Sequence, residues 1–206
     1  MGDSEPVQIS RMKPSPAELK ENLRRQNLKW NWDAIASDCV ANPKLLPHLI
    51  RHCISEEVQI QQNAGAVLGK LINLDKEILV PHIPSMLKNL QSDPHDAVKR
   101  ATMRVLERIE IPEKLEGDVY DVAMQFVTDF NQPVAIRAFS MTVARRICQS
   151  YPSLSLELLP VVQGFFELKQ SAGIIARARK ELKILEKLKG KAGEEDSEGK
   201  LGAFGW

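Results

Sequence analysis

Residues 98–110 read VKRATMRVLERIE, and two other stretches share their pattern: IQQNAGAVLGKLI at 60–72 and IRAFSMTVARRIC at 136–148. The offset is 38 residues both times, without a gap. Apolar anchors coincide in three columns: Ile60, Val98 and Ile136; Val67, Val105 and Val143; Leu71, Ile109 and Ile147. Steps of seven and four residues keep each set on one helical face. Short side chains also line up, at Ala64, Thr102 and Ser140, where a neighbouring helix can pass closely. Self-similarity at a period of this length marks a repeat architecture. Each unit is too small to bury its own apolar face, so neighbours must stack into a continuous core.

Outward from these stretches the pattern stays helical. Helices are expected over 17–28, 33–41, 44–54, 57–73, 77–91, 95–109, 116–130, 133–149, 154–168 and 173–189. Strand-type alternation is absent, and Gly and Pro fall at boundaries. Asp93-Pro94 separates two helices, and Asn131 is placed to cap a helix with Pro133 just inside it. Pro81 and Pro84 should kink 77–91 or delay its start to 81–84. A further second-type helix, IIARARKELKIL at 174–185, fits the repeat with about one residue of slip. Residues 1–16 hold Pro6, Pro14 and Pro16 and little that packs, so a disordered arm is expected there. The Gly-rich, charged stretch 190–206 is expected to be a disordered tail, leaving 17–189 as the folded domain. The tip of that tail, GAFGW, carries Phe204 and Trp206; a segment without a role is the plainer reading beside a docking peptide.

Composition narrows the class. The chain has 206 residues, 43% hydrophobic and 27% charged, enough for one domain with a real core or two very small ones. A net charge of +1 gives no global polyanion signal. No apolar run approaches the ~18 residues a bilayer span needs, and the first residues lack the apolar core of a secretory signal. Cys39, Cys53 and Cys148 are scattered and odd in number, as expected of buried free thiols in a reducing cytoplasm.

The 38-residue helical hairpin, with Asp in its turn and a basic residue early in its second helix, resembles the HEAT repeat. The best match is SDPHDAVKRATMRVL, with Asp93, Val98 and Lys99 at the motif positions. That resemblance implies pairing of the turn Asp with the basic residue of an adjacent repeat. Arg137 occupies the basic position of the next unit, but its nearest Asp, Asp129, is two residues out of register, and the first unit has Gln61 there. More narrowly, NPKLLPHLI (42–50), PVAIRAFSM (133–141) and SAGIIARARK (171–180) resemble small single-domain bacterial HEAT-like proteins of unknown function. The expected fold is therefore all-α, a right-handed α-solenoid of the armadillo/HEAT-like kind with about five helical hairpins.

Catalytic chemistry finds little support. His48 and His52 are spaced to chelate but lack a third ligand, and His82 and His95 read as surface or capping residues. No nucleophile elbow, P-loop or dinucleotide fingerprint is present. Cys148 lies near Arg145 and Arg146, yet it falls at a helix C-terminus, where the dipole disfavours a thiolate. Asp118 and Asp121 belong to an acidic helix start, which the N-terminal dipole explains. No catalytic residue, metal or cofactor is expected.

The charge pattern is more informative. Arg100, Arg104 and Arg108 form one stripe of a second helix, and Lys70, Arg108 and Arg146 share a column. Arg137, Arg145 and Arg146 lie in 133–149, and Arg177 in the last helix, whereas 116–130 is acidic. In HEAT-type stacks the second helices line the concave side, so a basic groove is expected from Arg100, Arg104, Arg108, Arg137, Arg145, Arg146 and Arg177. The structural alternative is that helix-end dipoles and adjoining acids account for these cations. A non-enzymatic scaffold is expected, taking a partner protein or peptide, preferably an acidic segment. The alternative is a nucleic-acid binder resembling HEAT-like DNA glycosylases, with Trp30, Trp32 and Asp33 near the edge of the groove. The bland reading of the two tryptophans is that they cap the first hairpin's core.

Overall fold

A computed structural model describes residues 14–25, 29–168 and 170–202, with side chains through Gly190. Ten α-helices run along these residues: α1 (Pro16–Arg24), α2 (Lys29–Ala41), α3 (Leu46–His52), α4 (Val58–Leu74), α5 (Ile83–Leu90), α6 (Asp96–Arg108), α7 (Glu113–Thr128), α8 (Val134–Ser150), α9 (Ser155–Glu167) and α10 (Ala172–Gly202). Among the described residues there is no strand. No helix there is long and apolar enough to cross a membrane.

Four second helices begin in strict register, at Val58, Asp96, Val134 and Ala172. The one-residue slip expected for the last unit is therefore absent. Its anchors are Ile174, Glu181 and Leu185, all buried, so a glutamate stands where the other units have valine. The nine anchor residues of the three earlier units are at most 2% exposed. The second helices α2, α4, α6, α8 and α10 pack side by side along their length, whereas the first helices meet one another at only a few residues. Gly65 sets how closely α4 and α6 approach. A Cβ there would lie 2.8 Å from the Ala97 carbonyl oxygen.

The helix boundaries follow local chemistry. Ser15 accepts a hydrogen bond from the Glu18 N–H, and the Glu18 carboxylate accepts one from the Ser15 N–H, closing a capping box on α1. The prolines at 81 and 84 act as expected: Glu77–His82 is a 3-10 segment, and α5 starts only at Ile83. His95 caps α6, its Nδ1 accepting from the Ala97 N–H at 3.1 Å. Asp93 turns the chain between α5 and α6 with a positive φ of 48°.

Two expectations change here. Asn131 does not cap α8; its own N–H is held by the Asp129 carboxylate at 2.9 Å, and Pro133 precedes the helix. α10 is helical to Gly202, past the helix end expected at 189, with no proline in 190–202 to stop it, and residues 203–206 of the GAFGW tip lie outside the described residues. The expected N-terminal arm lies outside the described residues up to position 13, and α1 starts at Pro16.

Candidate functional site

The seven arginines expected in one groove occupy five kinds of place. Arg137 is 3% exposed and belongs to the core. Its guanidinium lies 4.5 Å from the Phe130 ring centre and 5.0 Å from that of Phe165. It donates to the Val127 carbonyl and to Gln170. Burial pulls its pKa below the usual arginine range, with Asp129 opposing. The HEAT-type ladder is thus built from other partners. Lys99 pairs at 2.5 Å with Asp93 of its own unit, and Gln61 accepts from the His95 N–H of the next.

Arg146 caps the preceding second helix. It donates to the carbonyls of Leu106 and Glu107 at 2.7 Å and of Ile109 at 2.9 Å. The dipole that stabilises it belongs to α6, not to its own helix. Its column-mates differ: Lys70 pairs with Asp33 at 2.5 Å, and Arg108 is largely exposed beside Glu107.

Arg145 and Arg177 join a polar network that ties α6, α8 and α10 together. Arg177 meets Glu107 at 2.7 Å and donates to the Thr142 hydroxyl at 2.6 Å. Thr142 donates to Glu181 at 2.5 Å, and Arg145 pairs with the other oxygen of that carboxylate at 2.8 Å. The side chains of Arg145 and Glu181 are 12% and 5% exposed. The glutamate in the apolar column is thereby satisfied, as a buried charge requires. Arg137, Arg145, Arg146 and Arg177 thus have structural partners, which corrects their expected place as open groove residues.

Arg100 and Arg104 are different. Neither makes an ion pair or hydrogen bond with a described residue. They line an open cleft of about 450 Å³ across α2, α4, α6 and α8. Its floor is short: Gly65, Ala66, Gly69, Ala97, Ala101 and Ala135. Trp32 and Phe139 flank it, with Lys70 and Asn73 at its rim. Trp32 is held in place by a 2.6 Å hydrogen bond from its Nε1 to Asn63. Asn63 is itself fully buried and donates to the Leu23 and Arg25 carbonyls at the end of α1. Sequence reasoning placed Trp32 at the edge of the groove. It brings the ring into the same cleft as Phe139 only through packing that the repeat register does not encode. Trp30 does not cap the first hairpin; it is 63% exposed.

The remaining candidates are quiet. All three thiols are buried, and burial pushes Cys39, Cys53 and Cys148 up to about 12. Cys148 therefore stays a thiol at neutral pH despite Arg145 nearby. Among the described residues, no three His, Cys, Asp or Glu side chains stand close enough to share a metal ion.

A stack of paired helices with a 38-residue register and a continuous inner core defines a helical repeat protein. The sequence pattern of the HEAT repeat domain matches residues 19–185, and the chain belongs to the HEAT-repeat family. No curated protein and no solved structure matches it. HEAT repeats commonly mediate protein interaction.

Proposed function

We propose that this protein is a non-enzymatic interaction scaffold whose cleft over α4 and α6 takes an acidic segment of a partner protein. The close packing of the second helices, against loosely spaced first helices, supports a stack curved toward the cleft, with the second helices on the concave side. The observation that carries the reading is the Arg100–Arg104 pair. Like charges one turn apart cost a helix roughly 0.2–0.5 kcal/mol. The neighbouring cations Lys70, Arg145, Arg146 and Arg177 each have an oxygen partner. Arg100 and Arg104 are left to repel each other beside a floor low enough for a partner backbone to reach them. An acidic guest relieves that repulsion, and Trp32 and Phe139 supply apolar contact area at either side.

The test uses a fluorescein-labelled oligoglutamate and fluorescence anisotropy at low and moderate salt. Binding to wild type should weaken with salt and be lost in the Arg100→Glu/Arg104→Glu variant. Equal binding by that variant would remove the cleft from the account. Because Trp32 shares the cleft with Phe139 and the two arginines, nucleic acid is the second reading. A gel shift with duplex and single-stranded DNA at low salt decides it, since phosphate contacts dominate such affinity.

A further inference from the structure

The cleft raises the question of which acidic segment has the right chemistry, and this chain carries one itself. Residues 194–198 read EEDSE, and Leu201, Phe204 and Trp206 follow. An acidic run followed by aromatics matches a cleft with two unpaired arginines and two flanking rings. We infer that the segment 190–206 of one copy docks in the Trp32–Arg100–Arg104–Phe139 cleft of a second copy. The inference rests on the cleft reading above and names its occupant.

Geometry favours a second copy over the chain's own cleft. α8 and α10 run in the same direction, since Val134 lies against Gly173, Thr142 bonds Arg177 and Glu181, and Arg145 pairs with Glu181. In the 38-residue register, the end of α8 at Ser150 corresponds to Leu188 of α10. Helix α10 goes on to Gly202. At 1.5 Å per residue that is about 20 Å beyond its packing partner. The acidic run is thus carried off the end of the stack, while the cleft lies over the middle of it. Such a head-to-tail contact uses different surfaces on the two copies, so its stoichiometry depends on concentration.

The surfaces can be altered without touching the core. Arg100 is exposed and unpaired, Arg104 lines the open cleft, and Glu194 and Glu195 lie beyond Leu188, the last buried residue among those whose burial is described. The experiment is sedimentation velocity of the full chain over a concentration series at low salt. Wild type should self-associate. Arg100→Glu/Arg104→Glu alone and Glu194→Lys/Glu195→Lys alone should each weaken association by at least about tenfold, since like charges then face each other. Combining the two sets should restore association. Wild type that stays monomeric throughout, or association that survives the Glu194→Lys/Glu195→Lys change, would overturn the inference.

The same tail variant separates the two claims. With the competing tail of a second copy weakened, it should bind labelled oligoglutamate more tightly than wild type does at concentrations where wild type self-associates. If it binds oligoglutamate through the cleft while wild type stays monomeric, only the self-docking fails. If it does not bind oligoglutamate at all, the cleft reading fails with it.

Discussion

Arg145→Ala against Arg100→Ala distinguishes a structural arginine from an open one. The Arg145–Glu181 pair is 2.8 Å long, and its side chains are 12% and 5% exposed. Removing one partner of a buried pair costs about 3–5 kcal/mol, because the other charge is left without compensation. Here the loss should sit at the lower end, about 3 kcal/mol. Glu181 keeps the Thr142 hydroxyl, and Arg177 remains 3.8 Å from its other oxygen. For a chain of this size each kcal/mol moves Tm by about 2–4 °C, so a fall of about 6–12 °C is expected. Arg100→Ala removes an exposed, unpaired side chain and should change stability by no more than about 0.5 kcal/mol. Thermal unfolding followed by circular dichroism reads both. The Arg145→Met/Glu181→Leu double variant should recover most of the loss, because an apolar pair can replace a buried ion pair. If Arg145→Ala unfolds no earlier than Arg100→Ala, the network does not hold α8 to α10 and Arg145 returns to the groove.

Glycine substitutions at 65 and 69 should act in opposite directions. In α4, alanine at Gly65 would press on the α6 backbone at 2.8–3.0 Å, whereas nothing lies within 4 Å of a Cβ at Gly69. Overpacking costs about 1–3 kcal/mol, and the helix gains about 1 kcal/mol from alanine. Urea unfolding should show Gly65→Ala less stable than wild type and Gly69→Ala more stable; the reverse order would refute the close approach. The thiols give a pH dependence. Burial pushes the folded thiols of Cys39, Cys53 and Cys148 up to about 12, well above the ordinary thiol range. A raised folded value keeps its stabilising contribution below the unfolded pKa, so stability should decline as pH climbs from about 9 toward 12. A chromogenic thiol reagent at pH 8 should find no fast-reacting cysteine until the chain unfolds; one fast thiol would contradict the burial.

Much of the fold was legible because local chemistry and long-range packing agree in it. The apolar columns through Ile60, Val98 and Ile136 recur at one spacing, and every residue in them is buried. The prolines at 81 and 84 delay a helix for reasons internal to the backbone. The candidate site was legible only in part. Arg100, Arg104 and Arg108 were visible as a stripe, yet the same arithmetic put Arg137 and Arg146 beside them. Nothing within a helix tells that Arg137 faces Phe130 and Phe165, or that Arg146 reaches the carbonyl ends of α6. Glu181 was hidden for a related reason. A charge at an apolar column reads as a slip in register until its partners Thr142 and Arg145, more than thirty residues away, are seen.

By itself, then, the sequence determined the helices, their repeat and the buried columns, since a periodic apolar stripe has one low-energy solution, stacking on its neighbour. The tertiary structure decided which cations are paired inside the stack and which remain unpaired in an open cleft. That choice depends on oxygen atoms a unit or more away, and the energy of a charge is set by what stands within a few ångströms of it.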